Sequence, residues 1–190
     1  TYNGVALAQK WAVSPDAWNK TEGWSLVAPA TGTHDVVITF ASTCQRLYGA
    51  SQSFHDVDQT TPYGTIATSA GTTTAATVTV ASASDQLVAD MMFVQGSAWT
   101  PTVGAGQTLR VQQRQGTYGD SINGSTEPGA ASVVMSWTWE SQARAWAIGG
   151  VGLKPSGTPP PPSCPPGLIA SVQSGNWSAA STWCGGVPPG

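Results

Sequence analysis

Apolar and polar residues alternate along this chain in short runs, and the 3.6-residue period that is typical of amphipathic helices is nearly absent. Within residues 131–140, Val133, Met135, Trp137 and Trp139 line up on one side. A period of two places alternate side chains on opposite faces of a β-strand. We therefore predict a strand here, with both tryptophans pointing inward.

The same alternation predicts several more strands. Residues 86–95 are apolar on both faces, which is typical of a central strand. Further strands are predicted where Val36, Ile38 and Phe40 share a face, where Leu109 and Val111 do so, and in residues 73–82. The Gly-rich, polar residues 116–130 are predicted to form an exposed loop.

Turn residues separate these runs at regular intervals, which gives about nine or ten strands between Tyr2 and Leu153. Strands do not alternate with helices, so a parallel α/β sheet is excluded. We predict an all-β fold, a two-sheet antiparallel β-sandwich of jelly-roll or Greek-key type.

A proline-rich run interrupts the pattern after Lys154. Proline lacks an amide donor and fixes φ, so such a run forms a stiff tether rather than a strand or helix. The sequence therefore predicts a β-sandwich in residues 1–154, a linker in 155–166 and a C-terminal extension in 167–190. The extension either docks on a neighbouring subunit or opens a further domain.

Composition narrows the classes of partner. Only 9% of residues are charged, and the formal net charge is −3. This balance argues against nucleic acid and against an anionic membrane surface. No run approaches the ~20 apolar residues that span a bilayer. Residues 1–4 do not resemble a secretory leader, so we expect a removed leader or a segment of a longer chain.

The three cysteines suggest one disulfide bond within the chain. Cys164 and Cys184 bracket the extension, which is too short to build a core, so a disulfide between them is the preferred pairing. Cys44 is then a buried thiol or an intermolecular partner. A Cys44–Cys164 pair remains an alternative.

Several segments resemble uncharacterised jelly-roll domains of bacterial surface proteins and phage particles. The matching residues are 24–40, 49–50, 57–62, 136–139 and 146–151. Residues 175–188, with the pattern G-N-W, T-W and G-x-x-P, resemble the opening of β-helical adhesin-type domains. The resemblance implies part of a longer extracellular, cell-surface or virion protein, and it supplies no catalytic residues.

The nine tryptophans offer a candidate for glycan binding, because exposed aromatic rings stack on sugars. Trp18, Trp99 and Trp146 lie near turns and are the candidates for exposure. The simpler interpretation of the tryptophans is packing between sheets.

Asp56 and Asp58 fall on one side of an extended segment and are candidate calcium ligands, and no other cofactor is expected. The alternative is that they cap backbone amides in a turn. Asn19, Asn123 and Asn176 begin N-x-S/T sequons and are candidate glycan acceptors.

No local signature marks a hydrolase: there is no G-x-S-x-G, and nothing selects a pair of carboxylates. We therefore expect a non-enzymatic structural or adhesive module, located outside the cell, on the cell surface or on a virion. Its expected partners are copies of itself or other surface or virion proteins. The alternative is a carbohydrate-binding module with exposed tryptophans.

Overall fold

The computed structural model describes residues 1–40, 43–96, 100–116, 118–139 and 142–157. Within these ranges the secondary structure consists of ten β-strands without a helix, and every strand pairing is antiparallel. The prediction of an all-β antiparallel fold is confirmed.

The strands occupy most of the chain between Ala8 and Leu153. In chain order they are β1 (Ala8–Val13), β2 (Thr21–Ser25), β3 (Tyr63–Thr73), β4 (Ala75–Val80), β5 (Leu87–Val94), β6 (Thr102–Val103), β7 (Thr108–Arg114), β8 (Ser121–Pro128), β9 (Val133–Thr138) and β10 (Arg144–Leu153).

The strands form three sheets. A five-stranded sheet has the order β3-β10-β5-β8-β7, a three-stranded sheet has the order β4-β9-β6, and β1 pairs with β2. The predicted central strand is β5, which has two strands on either side of it. The arrangement is consistent with a sandwich, and the jelly-roll topology stays a prediction.

Two adjacent glycines of β10 show how the layers stack. A Cβ atom on Gly150 would lie 2.7 Å from Val80 of β4, whereas a Cβ atom on Gly149 would lie 2.2 Å from the Trp11 ring of β1. Neighbouring strand residues point to opposite faces of a sheet. The five-stranded sheet therefore carries the three-stranded sheet on its inner face and the β1-β2 hairpin on its outer face.

The hydrophobic core lies between the five-stranded and three-stranded sheets. It contains Ala76, Val78, Val80, Val88, Met92, Val94, Val133, Met135, Trp137, Trp146 and Ile148. The inward orientation predicted for Trp137 is confirmed, and Trp139 packs partly buried against the same cluster.

The prediction of an exposed loop in residues 116–130 is wrong for most of that segment. Residues 121–128 form β8, and Ser121, Asn123, Ser125 and Thr126 are buried. Sequence composition misled here because small polar side chains are typical of loops, yet in β8 the hydroxyls of Ser125 and Thr126 form hydrogen bonds with Asp90 and Arg110.

The prediction of a strand in residues 34–40 is also wrong. Val36 forms only an isolated bridge with Tyr2, and Val37 exchanges two backbone hydrogen bonds with Thr1. Val36, Ile38 and Phe40 are each about half exposed. The period-two pattern is present, but the described chain offers this segment little more than the first two residues to pair with.

The other two strand predictions had different outcomes. Residues 75–80 within the predicted 73–82 form β4. Leu109 and Val111 lie in edge strand β7, where the register shifts between them and leaves Leu109 exposed. An extra residue of this kind is a β-bulge, which changes the face that the following side chains occupy.

Replacing Gly149 with alanine should destabilise the protein, because the added methyl group would collide with the Trp11 ring. We expect a loss of ~1–3 kcal/mol in the free energy of unfolding, as for other overpacked sites. Urea denaturation measures it. Gly116→Ala is the matched control, since no atom lies within 4 Å of its added Cβ. Equal urea midpoints for the two variants would contradict the packing of the β1-β2 hairpin against Gly149.

Candidate functional site

The most unusual ionisable group is Asp90, a carboxylate buried on the inner face of β5 and only 2% exposed. Its Oδ2 accepts a hydrogen bond from Trp137 Nε1 of β9 at 2.8 Å. Its Oδ1 accepts from the backbone N–H and hydroxyl of Ser125 in β8, at 2.7 and 2.8 Å. One side chain thus joins the two sheets and two neighbouring strands.

Burial raises the pKa of Asp90 from 3.8 to about 6, although the hydrogen bonds from Trp137 and Ser125 act in the opposite direction. Loss of water around a charged carboxylate therefore outweighs three donors. Because Asp90 is enclosed, a substrate in solvent has no access to it. Its geometry is that of a structural clamp.

Gln107 extends the same polar network. Its Nε2 donates to Ser125 Oγ at 2.7 Å, and its Oε1 accepts from the backbone N–H of Ser136 at 2.7 Å. Gln107 thereby makes a second polar link between the sheets, from β8 to β9. Such links satisfy Ser125, whereas Asn123 Oδ1 and Glu127 Oε2 of β8 are buried without a hydrogen-bond partner among the described residues.

A second cluster of charged groups lies at one end of the five-stranded sheet. Asp120, just before β8, is buried, and it accepts hydrogen bonds from Arg46 Nη1 at 2.8 Å and Tyr48 Oη at 3.0 Å. Its other oxygen accepts from the backbone N–H of Gly96 at 2.8 Å. Loss of water and the bond to Asp120 raise the pKa of Tyr48.

Asp120, Arg46 and Gly96 line an open depression of about 500 Å³, which we call the end cleft. Its wall is built from the end of β3, the start of β10, and loop residues that include those directly after β5 and before β8. The lining residues are Asp16, Arg46, Thr72, Gln95, Gly96, Tyr118, Asp120, Ala143, Arg144 and Ala145.

Two contacts fix side chains of the end cleft. The Arg46 guanidinium lies 4.4 Å from the centroid of the Tyr118 ring. Asp16 accepts hydrogen bonds from the backbone N–H groups of Trp18 and Asn19 and from the Asn19 side chain. Desolvation opposes these bonds, but together they hold the pKa of Asp16 below its ordinary value.

Sequence reasoning did not find the end cleft. Arg46 and Arg144 are far in the chain from Tyr118 and Asp120, and no local motif connects them. The tertiary fold brings them together, with Arg46 held by its hydrogen bond to Asp120. The one sequence signal near the site is Trp18, two residues from Asp16.

The three tryptophans predicted as a glycan platform do not behave alike. Trp18 is 92% exposed, as expected for stacking. Trp146 is only 6% exposed and donates from Nε1 to Thr73 Oγ1 at 2.8 Å, so its predicted exposure is wrong. The position of Trp146 near a turn suggested exposure, but its side chain points from β10 into the hydrophobic core. Trp99 lies outside the described residues.

The candidate calcium ligands are engaged locally. Asp58 Oδ1 accepts from the backbone N–H groups of Thr60 and Thr61 at 2.7 and 2.9 Å, and the bonds from Thr61 and Thr60 lower the pKa of Asp58. Asp56 Oδ2 lies 2.6 Å from His55 Nδ1. This geometry matches the alternative of a turn-capping carboxylate for Asp58, and calcium binding stays a prediction. Nowhere in the described ranges do three His, Cys, Asp or Glu side chains group as metal ligands.

The predictions for the glycosylation sites and the cysteines also had different outcomes. Asn123 is completely buried and donates to Ser121 Oγ at 3.0 Å, so the folded chain does not present it for glycosylation. Asn19 is half-buried and donates to Asp16. Cys44 is exposed with a free thiol, which contradicts the buried alternative. Asn176, Cys164 and Cys184 lie outside the described residues.

The chain divides into two compact units, residues 1–155 and residues 156–190. This division falls one residue beyond the predicted end of the β-sandwich at residue 154. Apart from residues 155–157, the predicted linker and extension fall outside the described residues and stay predictions. The described part of the chain contains no helix long and apolar enough to cross a bilayer.

Comparison with known proteins gave no relationship on which to base a function. No protein-family model, no curated protein and no solved structure matches the chain. The resemblance to jelly-roll and adhesin-type domains therefore stays a prediction.

The buried position of Asp90 predicts a pH dependence of stability. Its ordinary pKa of 3.8 applies to the unfolded chain and the value of about 6 to the folded one. Between these values the folded state binds more protons, so the free energy of unfolding should fall as the pH rises from about 4.5 to about 6.5, then level off. The full difference corresponds to about 3 kcal/mol. Urea denaturation at a series of pH values measures it.

Asp90→Asn cannot titrate and should flatten this slope, whereas the matched control Asp85→Asn, in an exposed turn, should keep it. Carboxyls with lowered pKa values, such as Asp16 and Glu22, give the opposite slope only at more acidic pH. The prediction fails if the free energy of unfolding of the wild type does not change with pH in this range. It also fails if the change persists in Asp90→Asn, because Asp90 would then not be its main source.

Proposed function

We propose that this protein is a non-enzymatic structural or adhesive module of an extracellular filament, a cell-surface protein or a phage particle, and that it assembles through contacts between subunits. The observation that carries the proposal is an exposed apolar segment, residues 36–40, which we call the apolar ribbon. Its residues Val36, Val37, Ile38 and Phe40 are each about half exposed.

The apolar ribbon has the composition of a β-strand but belongs to none of the described sheets. Three of its residues are β-branched valine or isoleucine, and its described backbone pairing is limited to Thr1 and Tyr2 at one end. Clustered apolar side chains on a surface mark sites of protein contact. An extended segment of this kind is suited to adding itself to a sheet edge.

Sheet edges that such a segment could join are present on the same domain. In the described part of the chain, β3 and β7 are the outer strands of the five-stranded sheet. Leu109 of β7 is itself exposed. A ribbon on one copy and an edge on another form a head-to-tail contact, which repeats into open assemblies.

The favoured partner is a second copy of this chain. With 9% charged residues and a net charge of −3, copies repel one another only weakly. Other surface or virion proteins are the remaining partners in the proposal. The proline-rich tether that the sequence predicts in residues 155–166 would suit a module that is displayed and connected in series.

The site geometry supports a role without catalysis. The carboxyl with the most perturbed pKa, Asp90, is enclosed between sheets and bound by three donors. The exposed carboxylate of Asp58 is occupied by turn amides. Asp90 therefore stabilises the contact between the sheets, and Asp58 stabilises its turn.

Val37→Lys should weaken assembly, because it places a charge in a surface that must lose water on contact. We expect the full chain to form oligomers whose size grows with concentration, and Val37→Lys to shift them toward monomers by at least about tenfold in apparent dissociation constant. Sedimentation velocity and negative-stain imaging measure this.

Val134→Lys is the matched control, since Val134 has the same 53% exposure as Val37 but belongs to β9 and not to the apolar ribbon. Both variants should keep the wild-type circular dichroism spectrum. The assembly proposal fails if the wild-type chain stays monomeric at every concentration, or if both variants assemble as it does.

A further inference from the structure

We infer that the end cleft is a binding site for a neutral saccharide, with Tyr118 as the stacking ring and Arg46, Asp16 and Arg144 as the groups that meet its hydroxyls. This inference goes beyond assembly through the apolar ribbon and does not depend on it. The two involve different residues and are tested separately.

The size and chemistry of the end cleft suit a sugar. Its volume of about 500 Å³ falls in the ~300–1,000 Å³ range of small-molecule sites. Sugar hydroxyls both donate and accept hydrogen bonds, so they need donors and acceptors side by side. Arg46 and Arg144 supply planar sets of donors, and the half-buried carboxylate of Asp16 supplies acceptor oxygens, while buried Asp120 holds Arg46 in place.

An exposed aromatic ring adds the apolar contact that a sugar ring requires. Tyr118 is 57% exposed and lines the end cleft. Arg46 lies over this ring at 4.4 Å, which restrains it. The exposed remainder of the ring offers a flat surface for the C–H groups of a pyranose.

The polar groups are held in place before any ligand arrives. Asp120 is buried and is fixed by Tyr48 and by the backbone N–H of Gly96, and it in turn fixes Arg46 at 2.8 Å. Arg144 donates from Nη2 to Gln142 Oε1 at 2.8 Å. Side chains ordered in advance lose less conformational entropy on binding.

The charges indicate a neutral ligand. The charged residues that the structure describes in the lining are two arginines and two aspartates, whose formal charges cancel. Arg46 already forms an ion pair with Asp120. A polyanion would bring charge that this lining does not complement, whereas hydroxyl groups find partners of both kinds.

The test titrates the full chain with cellohexaose, maltohexaose, chitohexaose and mannohexaose, each in separate calorimetric and saturation-transfer NMR experiments. We expect at least one to bind. Tyr118→Ala and Arg144→Gln should each weaken that binding by about tenfold or more, while Tyr118→Phe should retain it because the stacking surface remains.

Trp24→Ala is the matched control, because Trp24 is 52% exposed, close to the exposure of Tyr118, but does not line the end cleft. It should bind as the wild type does. The inference is overturned if no oligosaccharide binds up to about 10 mM. It is also overturned if binding survives Tyr118→Ala, or if inorganic phosphate at equal concentration displaces the sugar.

Discussion

The hydrogen bond between Asp90 and the indole of Trp137 is the interaction on which the sandwich depends. It joins the centre of the five-stranded sheet to the three-stranded sheet at 2.8 Å, and both residues are buried. A carboxylate without water is costly, so its three donors must stay in place. The two sheets therefore cannot slide by a residue without leaving Asp90 and Trp137 unpaired.

This constraint explains the unusual composition of β8. Ser125 must present both its backbone N–H and its hydroxyl to Asp90, and Gln107 then binds the same hydroxyl. An apolar residue at Ser125 would remove one donor from a buried charge. A strand that looks like a loop in composition is consequently buried in the fold.

The opposite mismatch occurs at the apolar ribbon, where a segment with the composition of a core strand lies on the surface. Apolar area left in water represents free energy that a partner can recover, at ~25 cal/mol per Å² buried. The end cleft has a different character, because its charged groups already have partners and its contribution is hydrogen-bonding geometry. The proposed assembly and the proposed saccharide binding thus draw on separate physical properties of one domain.

Local patterning made some features predictable and others not. Val133, Met135 and Trp137 point inward as their period of two predicts, and the doubly apolar β5 is central. Residues 36–40 have the same period and remain half exposed, while Trp146 near its turn is buried. The end cleft had no sequence signal, since its residues are gathered by strand order and not by spacing.

By itself, the sequence determined which residues can share a face, because side-chain alternation follows from backbone geometry and needs no partner. It also determined that the chain is all-β and low in charge. Only the tertiary structure decided which faces are covered, where Asp90 finds its donors and which strand ends meet at the cleft. Burial requires a second surface, and the identity of that surface is set by contacts between residues distant in the chain.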